Sequence, residues 1–243
     1  MEKREYEIMY QAEESHWWFL GMAAITRSII AKYYREHGNM NILDAGCGTG
    51  SGIDLLSNYG RVTGFDISPY AVNLSRRRGH RRLAIASVMS IPFKDRSFDL
   101  VLANDVLYFK NIQDDLALKE FSRILVHGGR IVIRVPAYNW LRGIHDTRVS
   151  TAHRYTLREL RSKMKKSGLS PVFGTYVNSI LLPLVILKRY LERLLPSQRD
   201  SDITLNSGIF SHFFLWCLSL ESIFLKKHPL PFGLSVIAVG RKC

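Results

Sequence analysis

This sequence predicts an α/β fold, a mostly parallel sheet with helices on both faces, and three observations carry the prediction. Short apolar runs alternate with helical or turn segments between residues 41 and 135. A glycine-rich loop sits where the first run gives way to a helix. The 243 residues, 47% hydrophobic and 23% charged, suit one globular domain with a full core and exclude disordered, collagen-like and disulfide-scaffold classes.

The elements follow in order. Residues 5 to 37 read as one helix, because Ile8, Ala12, Trp17, Leu20, Ala24 and Ile29 recur at roughly helical spacing and Gly38-Asn39 stops the pattern. Strands are expected at Asn41 to Ala45, Arg61 to Asp66, Leu83 to Ser87, Phe98 to Ala103 and Gly129 to Val135. Between them, Ser68-Pro69 marks a helix start with Gly79 at its stop, and Asn111 precedes a helix over Ile112 to Leu125. Thr156-Leu157-Arg158-Glu159 is a capping box, and the helix that it opens crowds Arg158, Arg161, Lys163, Lys165 and Lys166 onto its solvent face. Two further strands are readable at Ser170 to Tyr176 and Gly233 to Gly240.

Between those two strands lie an apolar stretch from Val177 to Leu187 with a basic continuation at Lys188, Arg189 and Arg193, a polar linker from Pro196 to Asn206, and a second apolar stretch from Ile209 to Leu225. The second stretch contains Ser211, His212 and Glu221 and is short for a membrane span, which needs about 20 apolar residues. Two readings of this insert stay open. It is a pair of helices docked on the sheet edge, or, through 177–230, a peripheral surface that touches an anionic membrane or a carrier-lipid phosphate.

The charge is lopsided. Residues 1–133 hold 17 basic and 15 acidic side chains, whereas residues 134–243 hold 17 basic and 6 acidic, most of the formal net charge of +13. Such a field attracts anions of any kind and says nothing about fold. Cys47, Cys217 and Cys243 lack metal-ligand spacing, so no metal site and a reducing compartment are expected. No signal peptide is visible at Met1 to Glu5, and the expected location is cytoplasmic, peripheral to the inner membrane face if the insert binds lipid.

The sharpest motif is Leu43-Asp44-Ala45-Gly46-Cys47-Gly48-Thr49-Gly50-Ser51-Gly52. Glycines there let the backbone take positive φ and approach a ligand closely at the carboxyl edge of the sheet. The dinucleotide spacing is not met, since its third glycine position is Ser51, and no Lys-Ser/Thr pair follows to make a phosphate-cradling loop. Asp66 ends the second strand, where a carboxylate can accept both ribose hydroxyls of a nucleoside.

Asp44 to Gly50, Phe65-Asp66-Ile67-Ser68, Ile91-Pro92-Phe93, Ser97 to Val101 and His127-Gly128-Gly129, in this order and spacing, resemble the successive motifs of class I S-adenosylmethionine-dependent methyltransferases. The resemblance covers about residues 40–136. It implies a Rossmann-like seven-stranded sheet with an antiparallel last strand and, in this chain, a helical insert before that strand. It also implies S-adenosylmethionine as cofactor. Asp44, Ala45, Gly46, Cys47, Gly48 and Gly50 would hold its methionine moiety and Asp66 its ribose. Ile67, Ser87 and Val88 would surround the adenine, and Asn104 would lie under the sulfonium. The family commonly has Asp where this chain has Ser87. One domain is therefore expected over 1–243, with a helical lid (1–38), a cofactor-binding core (39–176), the insert (177–231) and the last strand (232–243). His16-Trp17-Trp18-Phe19, the segment Trp140 to Tyr155 and Leu230 to Ser235 are similar to a bacterial and archaeal small-molecule subgroup, whose members often accompany sugar, glycan or lipid-carrier biosynthesis.

The expected reaction is methyl transfer to O or N of a small or carrier-linked acceptor. Two alternatives are an RNA methyltransferase, suggested by the charge, and a cofactor-binding scaffold without turnover. Asn104-Asp105-Val106-Leu107 in place of an Asn/Asp-Pro-Pro-aromatic motif speaks against nucleic-acid amines as the target. On the acceptor side, His145, Asp146, His153, Arg154 and Tyr155 form a titratable cluster on the loop after the fifth strand. In the catalytic reading His145 is the base and Asp146 orients it, His153 is the next candidate, Tyr155 and Tyr108 line the pocket, and Arg154 binds an acidic group of the acceptor. In the structural reading Asp146 and Arg154 pair to brace the loop. Oligomeric state is not legible.

Overall fold

The computed structural model describes residues 3–36, 38–143, 146, 151–194 and 208–243, with no side-chain description for 191–194 and 208–209. Its centre is a sheet of seven strands: β1 (Met40–Ala45), β2 (Gly60–Asp66), β3 (Leu83–Ile85), β4 (Phe98–Asn104), β5 (Leu125–Pro136), β6 (Leu169–Val177) and β7 (Ser235–Lys242). The strand order is β3-β2-β1-β4-β5-β7-β6, and β7 alone runs antiparallel, paired with β5 on one side and β6 on the other. The expected antiparallel last strand is thus present, inserted between β5 and β6.

Strict alternation on the buried strands divides the core into two layers. Leu43, Val101, Ala103, Ile131 and Ile133 face one layer, where α5 (Asp114–Ile124) and α6 (Leu157–Lys166) cover them. Ile42, Leu100, Leu102, Val132 and Ile237 face the other, under α2 (Trp17–Ile30), α3 (Ser51–Leu56) and α8 (Gly208–Leu225). The remaining helices are α1 (Lys3–Ala12), α4 (Pro69–Arg77) and α7 (Leu182–Leu194).

Four expectations need correction. The single N-terminal helix is two, because the chain breaks at 13–16 and His16 caps α2 by accepting the Trp18 N–H at 3.2 Å through Nδ1. The helix expected from Ile112 begins at Asp114, with Gln113 as its cap and no side-chain cap bond from Asn111. β3 stops at Ile85, and Ser87 enters a tight turn in which its Oγ accepts the Met89 N–H. The capping box at Thr156 is half formed. Thr156 Oγ1 accepts the Glu159 N–H, while the Glu159 carboxylate meets His153 Nε2 at 2.7 Å instead of reaching back to the cap.

The insert forms α7 and α8, with the polar linker outside the described residues. No described helix is long and apolar enough to cross a membrane. Gly21 lets α2 and α8 touch, since a Cβ there would lie 2.3 Å from Leu218 Cδ1.

Candidate functional site

The carboxyl edge of the sheet concentrates unusual backbone. Gly46 follows β1 at φ 72°, and non-glycine residues with positive φ follow β4 (Asp105, 56°), β5 (Tyr138, 56°) and β6 (Asn178, 62°). Such conformations cost of order 1–3 kcal/mol each and cluster where a site is being shaped. At Gly46 a Cβ would lie 2.8 Å from Val106 Cγ2, so the loop after β1 closes against the start of the β4 loop only with glycine there.

Three carboxylates gather at this loop. Asp44 is 3% exposed and its Oδ2 has no hydrogen-bond partner. Burial first, then the charges of Glu13 and Asp66, push its pKa up to about 7. Asp66 accepts the Gly48 N–H at 3.0 Å and the Ser68 N–H at 2.8 Å, which fixes the turn between β2 and α4. Glu13, from the break between α1 and α2, bonds Thr49 Oγ1 and pairs with Arg78 at 3.0 Å; burial raises its pKa too. Tyr6 on α1 packs on Ala71 and Leu74, and burial followed by Asp66 pushes its phenol up to about 12. The N-terminal segment therefore lies over the glycine loop and Asp66.

These residues fit an elongated cationic nucleoside. The buried, unpaired oxygen of Asp44 calls for a donor with positive charge, and Asp66 keeps lone pairs for hydroxyls. Ile67 beside it leaves an apolar side chain 65% exposed, as a flat ring would need. Val88 is buried, and Asn104 at the end of β4 has its Oδ1 buried and unpartnered. Cys47 is buried in the loop, and desolvation keeps it a neutral thiol. Residues 43–133 match the model described as a methyltransferase domain. Residues 43–133 carry a methyltransferase domain, and the seven-stranded sheet built on them has the fold of S-adenosylmethionine-dependent methyltransferases.

The relatives of this methyltransferase domain are varied. It is 36% identical over 117 residues to the demethylmenaquinone methyltransferase of Staphylococcus aureus, covering 44% of this chain and 48% of that one. An uncharacterized protein of Methanocaldococcus jannaschii is 26% identical over 202 residues, 70% of this chain and 78% of its own. The chain spans about half the length of most of the curated relatives it matches. Among solved structures, a possible histamine N-methyltransferase of Thermotoga maritima shares the fold with a TM-score of 0.61 at 17% identity, over 99% of this chain and 96% of that one.

On the acceptor side the domain's loop after β5 is braced internally. Arg154 donates through Nε and Nη2 to the two oxygens of Asp146, at 2.9 and 3.0 Å, and through Nη1 to the Ala137 carbonyl. Asp146 Oδ2 also accepts the Gly143 N–H at 2.8 Å. This is the structural reading of that pair: Arg154 is engaged by the Asp146 carboxylate and the Ala137 carbonyl. His145 itself lies outside the described residues. Tyr155 is corrected from pocket lining to core, 1% exposed with its hydroxyl within 2.9 Å of Asp114 Oδ2 and 3.1 Å of the Leu107 carbonyl. His153 stacks edge-on against it and meets Glu159.

Tyr108 faces the cluster. Burial and then Asp105 raise its phenol, with Arg134, Asp146 and Arg154 also nearby, so it stays a protonated donor at neutral pH. Asp105 in turn accepts from Arg134 Nε at 2.8 Å. The sequence reading missed Glu13, Arg78 and Arg134. The first two are read as ordinary helix charges when 65 residues separate them, and only the fold brings them together.

Proposed function

We propose that this chain transfers a methyl group from S-adenosylmethionine to an oxygen or nitrogen of a small or carrier-linked acceptor. The observation that carries the reading is the buried Asp44 carboxylate with an unpaired oxygen, behind glycines in positive φ at the carboxyl edge. Asp44 would hold the ammonium group, Asp66 the ribose, Ile67 the adenine, and Asn104 the region of the sulfonium. The cofactor supplies a methyl group on a positively charged sulfur, open to displacement in line. The protein's share is positioning, with a base needed only when the nucleophile carries a proton at working pH.

The test is calorimetric titration with S-adenosylmethionine and S-adenosylhomocysteine. Binding of both is expected, and absence of heat with either rejects the reading. Label transferred into RNA, and not into small-molecule or lipid extracts, would reassign the acceptor.

His145 is the proposed base, on the loop that the Asp146–Arg154 pair holds in place. His145→Ala should lower turnover by about a hundredfold to ten-thousandfold, the usual cost of losing a base, while cofactor affinity is unchanged. Near wild-type turnover in this variant would move the base to His153 or to solvent.

A further inference from the structure

Helix α8 is apolar on both sides, and among the described residues only one side is covered. Its inner face, with Cys217, Leu218 and Leu225, packs in the core layer beneath α2. Its other face carries Phe210, Phe213, Trp216 and Ile223, all more than half exposed, with Leu220 and Phe224 completing the stripe. These positions follow helical spacing, so they form one continuous band along the helix axis. Phe213 and Trp216 lie with ring centroids 6.3 Å apart within that band. Glu221, the acid of this helix, is turned inward, 2% exposed, and its carboxylate accepts the Asn178 and Ser179 N–H groups. The outer face therefore carries no acidic group, and exposed Lys226 and Lys227 follow its last turn.

We propose that this face of α8 docks on an anionic lipid bilayer, lying in the interface without crossing it. Aromatic rings suit the headgroup boundary, and the lysines match anionic headgroups, as does the basic excess of residues 134–243. A second copy of the chain fits less well. The band runs about 21 Å from Phe210 to Phe224 at 1.5 Å per residue, and each of two copies would bring a formal charge of +13 to a contact along it. The surface is independent of the methyl-transfer reading and stands or falls on its own test.

The experiment is co-sedimentation of the full chain with phosphatidylcholine vesicles, with and without phosphatidylserine, at low and high salt. Binding at least tenfold tighter to the anionic vesicles is expected, weakening with salt. The double variant Phe213→Ser/Trp216→Ser should lose it with a melting temperature close to that of the wild type, because more than half of each side chain is already exposed. Lys226→Glu/Lys227→Glu should lose the preference for anionic lipid. Brominated lipid should quench tryptophan fluorescence in the wild type and much less in Trp216→Phe. Equal binding to neutral and anionic vesicles, no binding to either, or a dimer that the Phe213→Ser/Trp216→Ser change dissociates would overturn the proposal.

Discussion

Replacing Asp44 by Asn is expected to weaken S-adenosylmethionine binding by roughly 2–5 kcal/mol, about thirtyfold or more, because it removes one partner of a buried charge pair. The fold should survive, since Asn keeps the shape of the side chain and Asp44 Oδ2 has no protein partner to lose. The pH dependence distinguishes this charge from simple loss of contact. With its pKa pushed up to about 7, Asp44 is part protonated near neutrality, and only the ionised form attracts the ammonium group. Wild-type affinity should therefore rise as pH increases through about 7, and the rise should vanish in Asp44→Asn. Stability of the ligand-free protein runs the other way. The folded pKa lies above the value of 3.8 for an exposed Asp, so this group's contribution is complete below the lower value and is lost as pH climbs through the upper one. The melting temperature of the free wild type should fall over that window relative to Asp44→Asn. A flat wild-type affinity from about pH 6 to about pH 8 would reject the assignment.

Asp146→Ala should cost about 3–5 kcal/mol of stability, the usual penalty for leaving a buried charge without its partner. Both side chains are nearly dry, at 12% and 7% exposure, and Asp146 also holds the Gly143 N–H, so its removal frees a guanidinium and a backbone donor together. The double variant Asp146→Ala/Arg154→Leu removes the stranded charge as well and should recover much of the loss. Urea unfolding of the wild type, both single variants and the double variant gives the coupling energy directly. Additive effects would mean that the pair does not brace the loop.

The core was legible because it is local. Alternating apolar residues place each strand, Ser68 and Thr156 announce their helices, and Asp44, Gly46 and Asp66 sit beside the strands that present them. What escaped depends on residues far apart in the chain. Glu13 and Arg78 meet only after α1 has folded back on α4, and the break at 13–16 that permits this is hidden in a periodicity that runs on through Trp17. Tyr155 sits in a run of titratable residues and looks like pocket chemistry, whereas its ring fills the core beside α5. Glu221 in an apolar helix carries no hint that it caps the backbone after β6.

The place of β7 has a consequence for how the chain is made. β5 and β6 are not neighbours; each pairs with a side of β7, which is synthesised after both and after the whole of α7 and α8. At about 5–20 residues per second, roughly 3 to 12 seconds pass between the emergence of β6 and that of β7. During that interval β5 has an open edge, β6 has no partner, and the apolar helices of the insert have no finished sheet to cover. A ribosome stalled in this stretch would hold a nascent chain with unpaired strand edges, the form that chaperones capture or that aggregates. Closure of the sheet then waits for β7, a single strand that fills the gap from both sides.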